Sequence, residues 1–146
     1  ITSEFGGDWD MRIYTDETQG AEHIALVKGD VTTDDPVLVR MHALDPMLDI
    51  IGTGPRGRSA EFHAAMELIA AEGRGVLVLL RDLHMKMVPD DEVSPQTLRQ
   101  YGLGAQILSS MGLHELVLLT DNPDTRYLGL DAYALEIVGT RPITTE

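Results

Sequence analysis

The run Val76–Leu80 is wholly aliphatic and does not alternate with polar residues, and Gly75 and Arg81 bracket it. A strand with that pattern must be covered on both faces, which is the situation of a strand inside a parallel sheet flanked by helices. The run is also far too short to cross a membrane as a helix. The segment before it, Ser59–Glu72, carries Phe62, Met66 and Ile69 at helical spacing, with Ala65 and Ala70 between them. Ser59 is placed to cap that helix and Gly73 to stop it in the left-handed conformation. Helix followed directly by a buried strand constrains the chain to the α/β class.

The flanking segments fit the same frame. Met11–Tyr14 and His23–Lys28 read as two antiparallel strands, and Val37–His42 as a third after Asp34-Asp35-Pro36. Leu44–Gly57, rich in Gly and Pro, reads as loop, as does Asp82–Val93 with its Pro89. Ser94-Pro95 opens a helix whose buried face is Leu98, Tyr101, Ala105 and Leu108 and which Gly112 ends. Glu115–Thr120 is a buried strand, a short helix is expected near Pro123–Leu130, and Leu135–Val138 closes the chain as a strand. The expected architecture is a mixed sheet: antiparallel N-terminal strands, then β-α-β-α-β with parallel pairing and right-handed crossovers. Residues 1–146 carry no repeat, low-complexity tract or linker and read as one domain. The start at Ile1 rather than Met reads as an excised domain or a processed fragment of a longer chain.

With 11 Lys and Arg against 24 Asp and Glu, the net charge is −13. Such a chain repels phosphate backbones and anionic membrane surfaces, so neither nucleic acid nor membrane is an expected partner. No signal peptide is visible. There are no cysteines, which excludes disulfides, thiol catalysis and thiolate metal sites and fits a reducing, cytoplasmic setting. The five histidines, His23, His42, His63, His84 and His114, form no H-x-H or H-x-x-x-H pair, so they read as structural or surface residues. Gly52-Thr53-Gly54-Pro55-Arg56-Gly57-Arg58 before a helix could cradle a phosphate, but it lacks the Gly-Lys-Ser/Thr ending of a P-loop and reads more simply as a turn. Gly-x-Ser-x-Gly is absent. The methionines read as core filler.

Several separate blocks carry a family resemblance. Ile24-Ala25-Leu26-Val27-Lys28-Gly29-Asp30 and Val37-Leu38-Val39-Arg40-Met41-His42 come first. Ala64–Leu77, Tyr101-Gly102-Leu103-Gly104-Ala105-Gln106-Ile107-Leu108, Leu118-Leu119-Thr120-Asp121-Asn122-Pro123 and Tyr133–Val138 follow in order. Together they resemble GTP cyclohydrolase II over essentially the whole chain. The resemblance implies that family's fold, a homodimer, a zinc-dependent opening of the guanine ring of GTP on the route to riboflavin, and frequent fusion behind a 3,4-dihydroxy-2-butanone 4-phosphate synthase domain.

The departures from the family pattern bear on function. The family holds zinc through a cysteine after its Arg-Val-His-Ser-Glu stretch and a Cys-x-Cys pair before the long helix. Counted without gaps, those positions are Asp45, Arg56 and Arg58 here, and the glutamate before the first cysteine is Leu44. Arginine cannot coordinate zinc. Arg81-Asp82-Leu83-His84-Met85 stands where the family has Arg-Gln-Glu-Gly-Arg. The catalytic Asp-x-Arg becomes Thr97 and Arg99, and the phosphate-binding lysine becomes Thr125. Arg40, His42, Arg99 and Thr120 survive as ligand-binding candidates, with Arg99 the remnant of the catalytic pair.

The expectation is a degenerate domain with no metal, no cofactor and no activity on GTP. Its role would be structural, dimer-forming or regulatory for a fused butanone-phosphate synthase. Alternatives are a nucleotide- or flavin-binding domain without catalysis and, last, a metal-independent hydrolase. Asp45 or Asp49 is further expected to pair with Arg56 or Arg58, replacing part of a zinc cross-link.

Overall fold

Every residue from Val37 to His42 is buried, and the strand they form, β5 (Val37–Ala43), lies inside the sheet. The computed structural model describes residues 1–16, 20–44, 47–52, 60–81, 95–121 and 134–143. Among these, a small hairpin of β1 (Thr2–Ser3) and β2 (Gly7–Asp8) precedes the main sheet. The sheet comprises β3 (Asp10–Asp16), β4 (Ala21–Lys28), β5, β6 (Gly75–Leu80), β7 (Glu115–Leu119) and β8 (Glu136–Arg141), in the order β3-β4-β6-β5-β7-β8. β3 pairs antiparallel with β4, and β4 antiparallel with β6. β6, β5, β7 and β8 run parallel. The mixed α/β sheet with an antiparallel start is therefore present, and β5 sits between the two strands that the chain order would make neighbours.

Two helices cover the sheet, α1 (Glu61–Glu72) on one face and α2 (Pro95–Ser110) on the other. Strand periodicity sorts the side chains between them. Val37, Val39 and Met41 of β5 join Val76, Val78 and Leu80 of β6 in the core under Ala105 and Leu108 of α2. Leu38, Leu77, Leu26 and Leu119 form the other layer with Ala65, Met66 and Ile69 of α1. Two buried layers explain why β5 and β6 do not alternate in polarity. On β5 the positions following Leu38 on the α1 face are Arg40 and His42, so the fold directs two polar side chains into an apolar layer.

Some boundaries differ from the sequence reading. α1 begins at Glu61, with Ala60 as its N-cap and no side-chain cap hydrogen bond; Ser59 lies outside the described residues. A first-turn glutamate supplies the negative charge that a helix N-terminus favours, in place of a capping hydroxyl. Gly73 caps the other end at φ 79° and donates to the carbonyls of Ile69 and Ala70, as expected. Part of Leu44–Gly57 is not loop: Met47–Ile51 forms a π-helical turn, which Gly52 follows at φ 78°. β3 and β8 extend beyond the predicted strands. The β1–β2 hairpin is too short to leave a periodic signal, and its tie is tertiary: Lys28 Nζ donates to the carbonyls of Gly6 and Asp8 and lies over the Trp9 ring. The helix expected near Pro123–Leu130, the loop Asp82–Val93 and the side chains of Leu98 and Tyr101 fall outside the described residues.

The β4–β5 connection is clipped by one residue. Arg74 donates from Nε to the Asp30 carbonyl at 2.7 Å, from Nη1 to Pro36 O at 2.9 Å, and from Nη2 to Thr33 Oγ1 at 2.6 Å and Asp35 O at 3.0 Å. Hydrogen bonds from the Thr32 hydroxyl and backbone hold the Asp30 carboxyl below the usual carboxylate range. Arg74→Ala should lower stability by about 1–3 kcal/mol in urea titrations, since several charge-assisted bonds go at once. Arg74→Lys should restore little of it, because an ammonium cannot span the same fork of acceptors.

Candidate functional site at the carboxyl ends of the parallel strands

Ligand sites in parallel sheets lie beyond the carboxyl ends of the strands. Here the ends of β5 and β7 bring together Arg40, His42 and Thr120, three of the four residues singled out from the sequence. All are buried, at 8%, 4% and 7% relative exposure. The guanidinium of Arg40 reaches across to β7 and donates from Nη1 to Leu119 O at 3.3 Å. Its Nη2 lies 3.3 Å from His42 Nδ1 and 3.4 Å from Glu61 Oε2 on α1. The Arg40–Glu61 ion pair is nearly dry, with the two side chains 10% and 11% exposed. Arg40 Nε is buried without a hydrogen-bond partner among the described residues.

Arginine only donates, so His42 Nδ1 must accept. That assigns the ring proton to Nε2, which donates to Asp49 Oδ2 at 2.8 Å. His42 is thereby engaged at both nitrogens, and Asp49 fastens the π-helical turn to β5. Phe62, the next residue on α1, sets its ring edge against His42 with centroids 5.2 Å apart. The backbone N–H of Thr120 donates to Arg141 O, tying the end of β7 to β8. Asp121 accepts from the Ile143 N–H at 2.8 Å.

The other sequence candidates are placed as follows. Arg99 falls on α2, and its side chain lies outside the described residues, as do Asp45, Arg56 and Arg58. The expected link from Asp45 or Asp49 to Arg56 or Arg58 therefore lies outside the described residues; one recorded contact of the Asp49 carboxylate is with His42. Two residues that sequence reasoning did not place in the site are central to it. Glu61 showed only as an early helix residue, and Asp49 was considered only as an arginine partner. His23, read as structural, has that part here: buried on β4, its Nδ1 accepts the Arg81 N–H at 2.9 Å, just past the end of β6.

The chain contains no cysteine. Among the described residues no three His, Asp or Glu side chains are grouped to hold an ion. The lone pair of His42 Nδ1 faces a guanidinium, and its Nε2 carries the proton given to Asp49. These residues do not fit a thiolate zinc site.

A mixed sheet that begins antiparallel, covered by one helix on each face and with a buried Arg-x-His at the end of a parallel strand, defines an α/β domain. The chain belongs to the GTP cyclohydrolase II family, whose model matches residues 1–142. It is similar to the riboflavin biosynthesis protein RibBA of Bacillus cytotoxicus, at 40% identity over 150 aligned residues covering 89% of this chain and 38% of the relative. RibBA of Bacillus cereus strain AH187 is 37% identical over the same length, again covering 89% of this chain and 38% of its own. The chain thus spans well under half the length of these relatives. Among the described residues no helix is long and apolar enough to cross a membrane.

Proposed function

We propose that residues 1–146 form a cyclohydrolase II-like domain of a riboflavin-biosynthesis protein and do not open the guanine ring of GTP. The observation that carries this reading is the donor set: a chain without cysteine, in which the surviving Arg40 and His42 are bonded to each other and to Glu61 and Asp49. Ring opening needs a metal-activated water, a proton shuttle and a cationic grip on the triphosphate. The candidate zinc positions Asp45, Arg56 and Arg58, the Thr97 in place of the proton-transferring aspartate and the Thr125 in place of the lysine leave each of these needs unmet.

In this reading the domain serves as a structural, dimer-forming or regulatory unit. Its partner is a 3,4-dihydroxy-2-butanone 4-phosphate synthase in the same cytoplasmic polypeptide, and the assembly is a homodimer. The RibBA relatives, more than twice as long as this chain, support the fusion. Purified protein incubated with GTP and either zinc or magnesium should yield no pyrimidine product by chromatography. Turnover that co-purifies with the protein and is abolished by Arg99→Ala would overturn the reading.

A further inference from the structure

β3 is an outer strand of the sheet, and from Asp10 to Asp16 its far side has no partner strand among the described residues. Edges that stay open are commonly blunted by proline, lysine or a bulge. β3 has none of these, and its register with β4 runs unbroken along its whole length. The opposite outer strand, β8, has a register shift in its pairing with β7. β3 also exposes two large apolar side chains, Met11 at 40% and Ile13 at 56%, and Ile1 at the start of the chain is 59% exposed.

The hairpin before β3 sets the direction in which a covering strand would run. The Trp9 N–H donates to the Ile1 carbonyl at 2.9 Å, and Ile1 N donates back to the Trp9 carbonyl at 3.0 Å. Thr2 and Ser3 face Asp8 and Gly7 in the same antiparallel ladder. Alternate residues of a strand turn their backbone N–H and C=O groups to opposite sides. Trp9 is bonded to Ile1, and at Asp10, the next residue, the pairing with β4 begins. Carried along the strand, that alternation turns Met11, Ile13 and Thr15 to the open side, the side on which Ile1 lies. Each residue back from Ile1 is then one residue forward along β3.

We propose that the stretch of polypeptide immediately before Ile1 continues β1 as a further strand of the main sheet, antiparallel to β3 and hydrogen-bonded to Met11, Ile13 and Thr15. The proposal rests on the reading above that the domain belongs to a longer riboflavin-biosynthesis polypeptide, which the RibBA relatives support, since the chain covers 38% of their length. It deepens that reading: the join to the preceding part is built into the sheet and is not a flexible tether. Side-chain placement supports it. Cross-strand partners and alternate residues share a face, so Ile1, Met11 and Ile13 lie on the face of Trp9. Trp9 and Leu26, the register partner of Met11, belong to the buried layer under α1. A strand with apolar residues beside Met11 and Ile13 would extend that layer outward. On the other face Asp10 and Arg12 are exposed and bonded to each other, so a cation facing Asp10 and an anion facing Arg12 would complete two cross-strand pairs. A second copy of the chain is the competing occupant, and the net charge of −13 on each copy opposes it.

The test is amide hydrogen exchange, read residue by residue, on the encoded polypeptide with its residues before Ile1. The amides of Met11, Ile13 and Thr15 should exchange at least about tenfold more slowly there than after cleavage at an engineered protease site directly before Ile1 and removal of the upstream fragment. The amides of β4 that bond to β6 should stay protected in both. Fast exchange at Met11, Ile13 and Thr15 in the intact polypeptide would overturn the proposal. Protection that survives cleavage would overturn it too and would point to a second copy on this edge. If the cleaved chain does not stay folded, a cross-link decides. Asp10→Cys, combined with a cysteine at the residue directly before Ile1 and serine at any upstream cysteine, should form a disulfide within one polypeptide. No disulfide, or one formed only between polypeptides, would overturn the proposal. A gene that encodes nothing before Ile1 would remove the longer polypeptide and this strand with it, whereas unprotected amides in a polypeptide that has those residues would overturn the strand alone.

Discussion

Glu61→Leu is expected to cost about 3–5 kcal/mol of folding stability, because it leaves the guanidinium of Arg40 buried without its counter-charge. The pair is almost dry, with side-chain exposures of 10% and 11%, so water cannot readily take the place of the lost carboxylate. The double variant Arg40→Met/Glu61→Leu should lie closer to wild type than Glu61→Leu alone, since it removes both charges and fills the space with apolar groups. It should not recover fully, because the Leu119 carbonyl and His42 Nδ1 lose their donor. Urea unfolding of the three proteins checks this. A double variant as unstable as the single one would mean that the lost charge pair is not what Glu61→Leu disturbs.

The second large effect is expected on the opposite face of the sheet. Leu80 is fully buried in the layer under α2, among Met41, Ala105 and Leu108. Leu80→Ala should lose about 4 kcal/mol, because the cavity is lined by apolar groups and stays dry. Leu77→Ala, on the α1 face, should lose nearer to about 2 kcal/mol, at the low end for such truncations. Leu77 is the register partner of Arg40, and a cavity beside a guanidinium whose Nε has no hydrogen-bond partner among the described residues can hold a water that hydrogen-bonds it. Two equally buried leucines on one strand should therefore differ, and equal losses in urea titrations would argue against a wet cavity beside Arg40.

The contrast between those two leucines marks what the sequence could convey. Val76–Leu80 and Phe62, Met66 and Ile69 carry their own periodicity, so β6 and α1 were legible to within a residue or two. The antiparallel start was legible for the same reason. Strand order was not, because no local pattern says that β5 lies between β6 and β7; that depends on pairings between residues such as Val37 and Leu116. The π-helical turn was missed because a tertiary bond from His42 to Asp49 holds it, and no repeat of apolar residues announces it.

Arg40 and His42 were singled out through the family resemblance, and the structure buries both at the end of β5. What surrounds them was hidden by separation along the chain. Glu61 is 21 positions from Arg40 and the Leu119 carbonyl is 79. A glutamate in the first turn of a helix reads as a solvated charge until the helix is set down against a strand carrying an arginine.

The central placement of β5 bears on the order in which a ribosome can complete this domain. β5 emerges early, gains β6 some way further on, and has its other edge open until β7 has been synthesised. Through that interval the growing chain presents an unpaired, aliphatic strand edge, the kind of surface that recruits other chains. It also carries a cation whose backbone acceptor on β7 does not yet exist. Polypeptides that end before Leu119 would lack both the strand that covers this edge and the acceptor for Arg40.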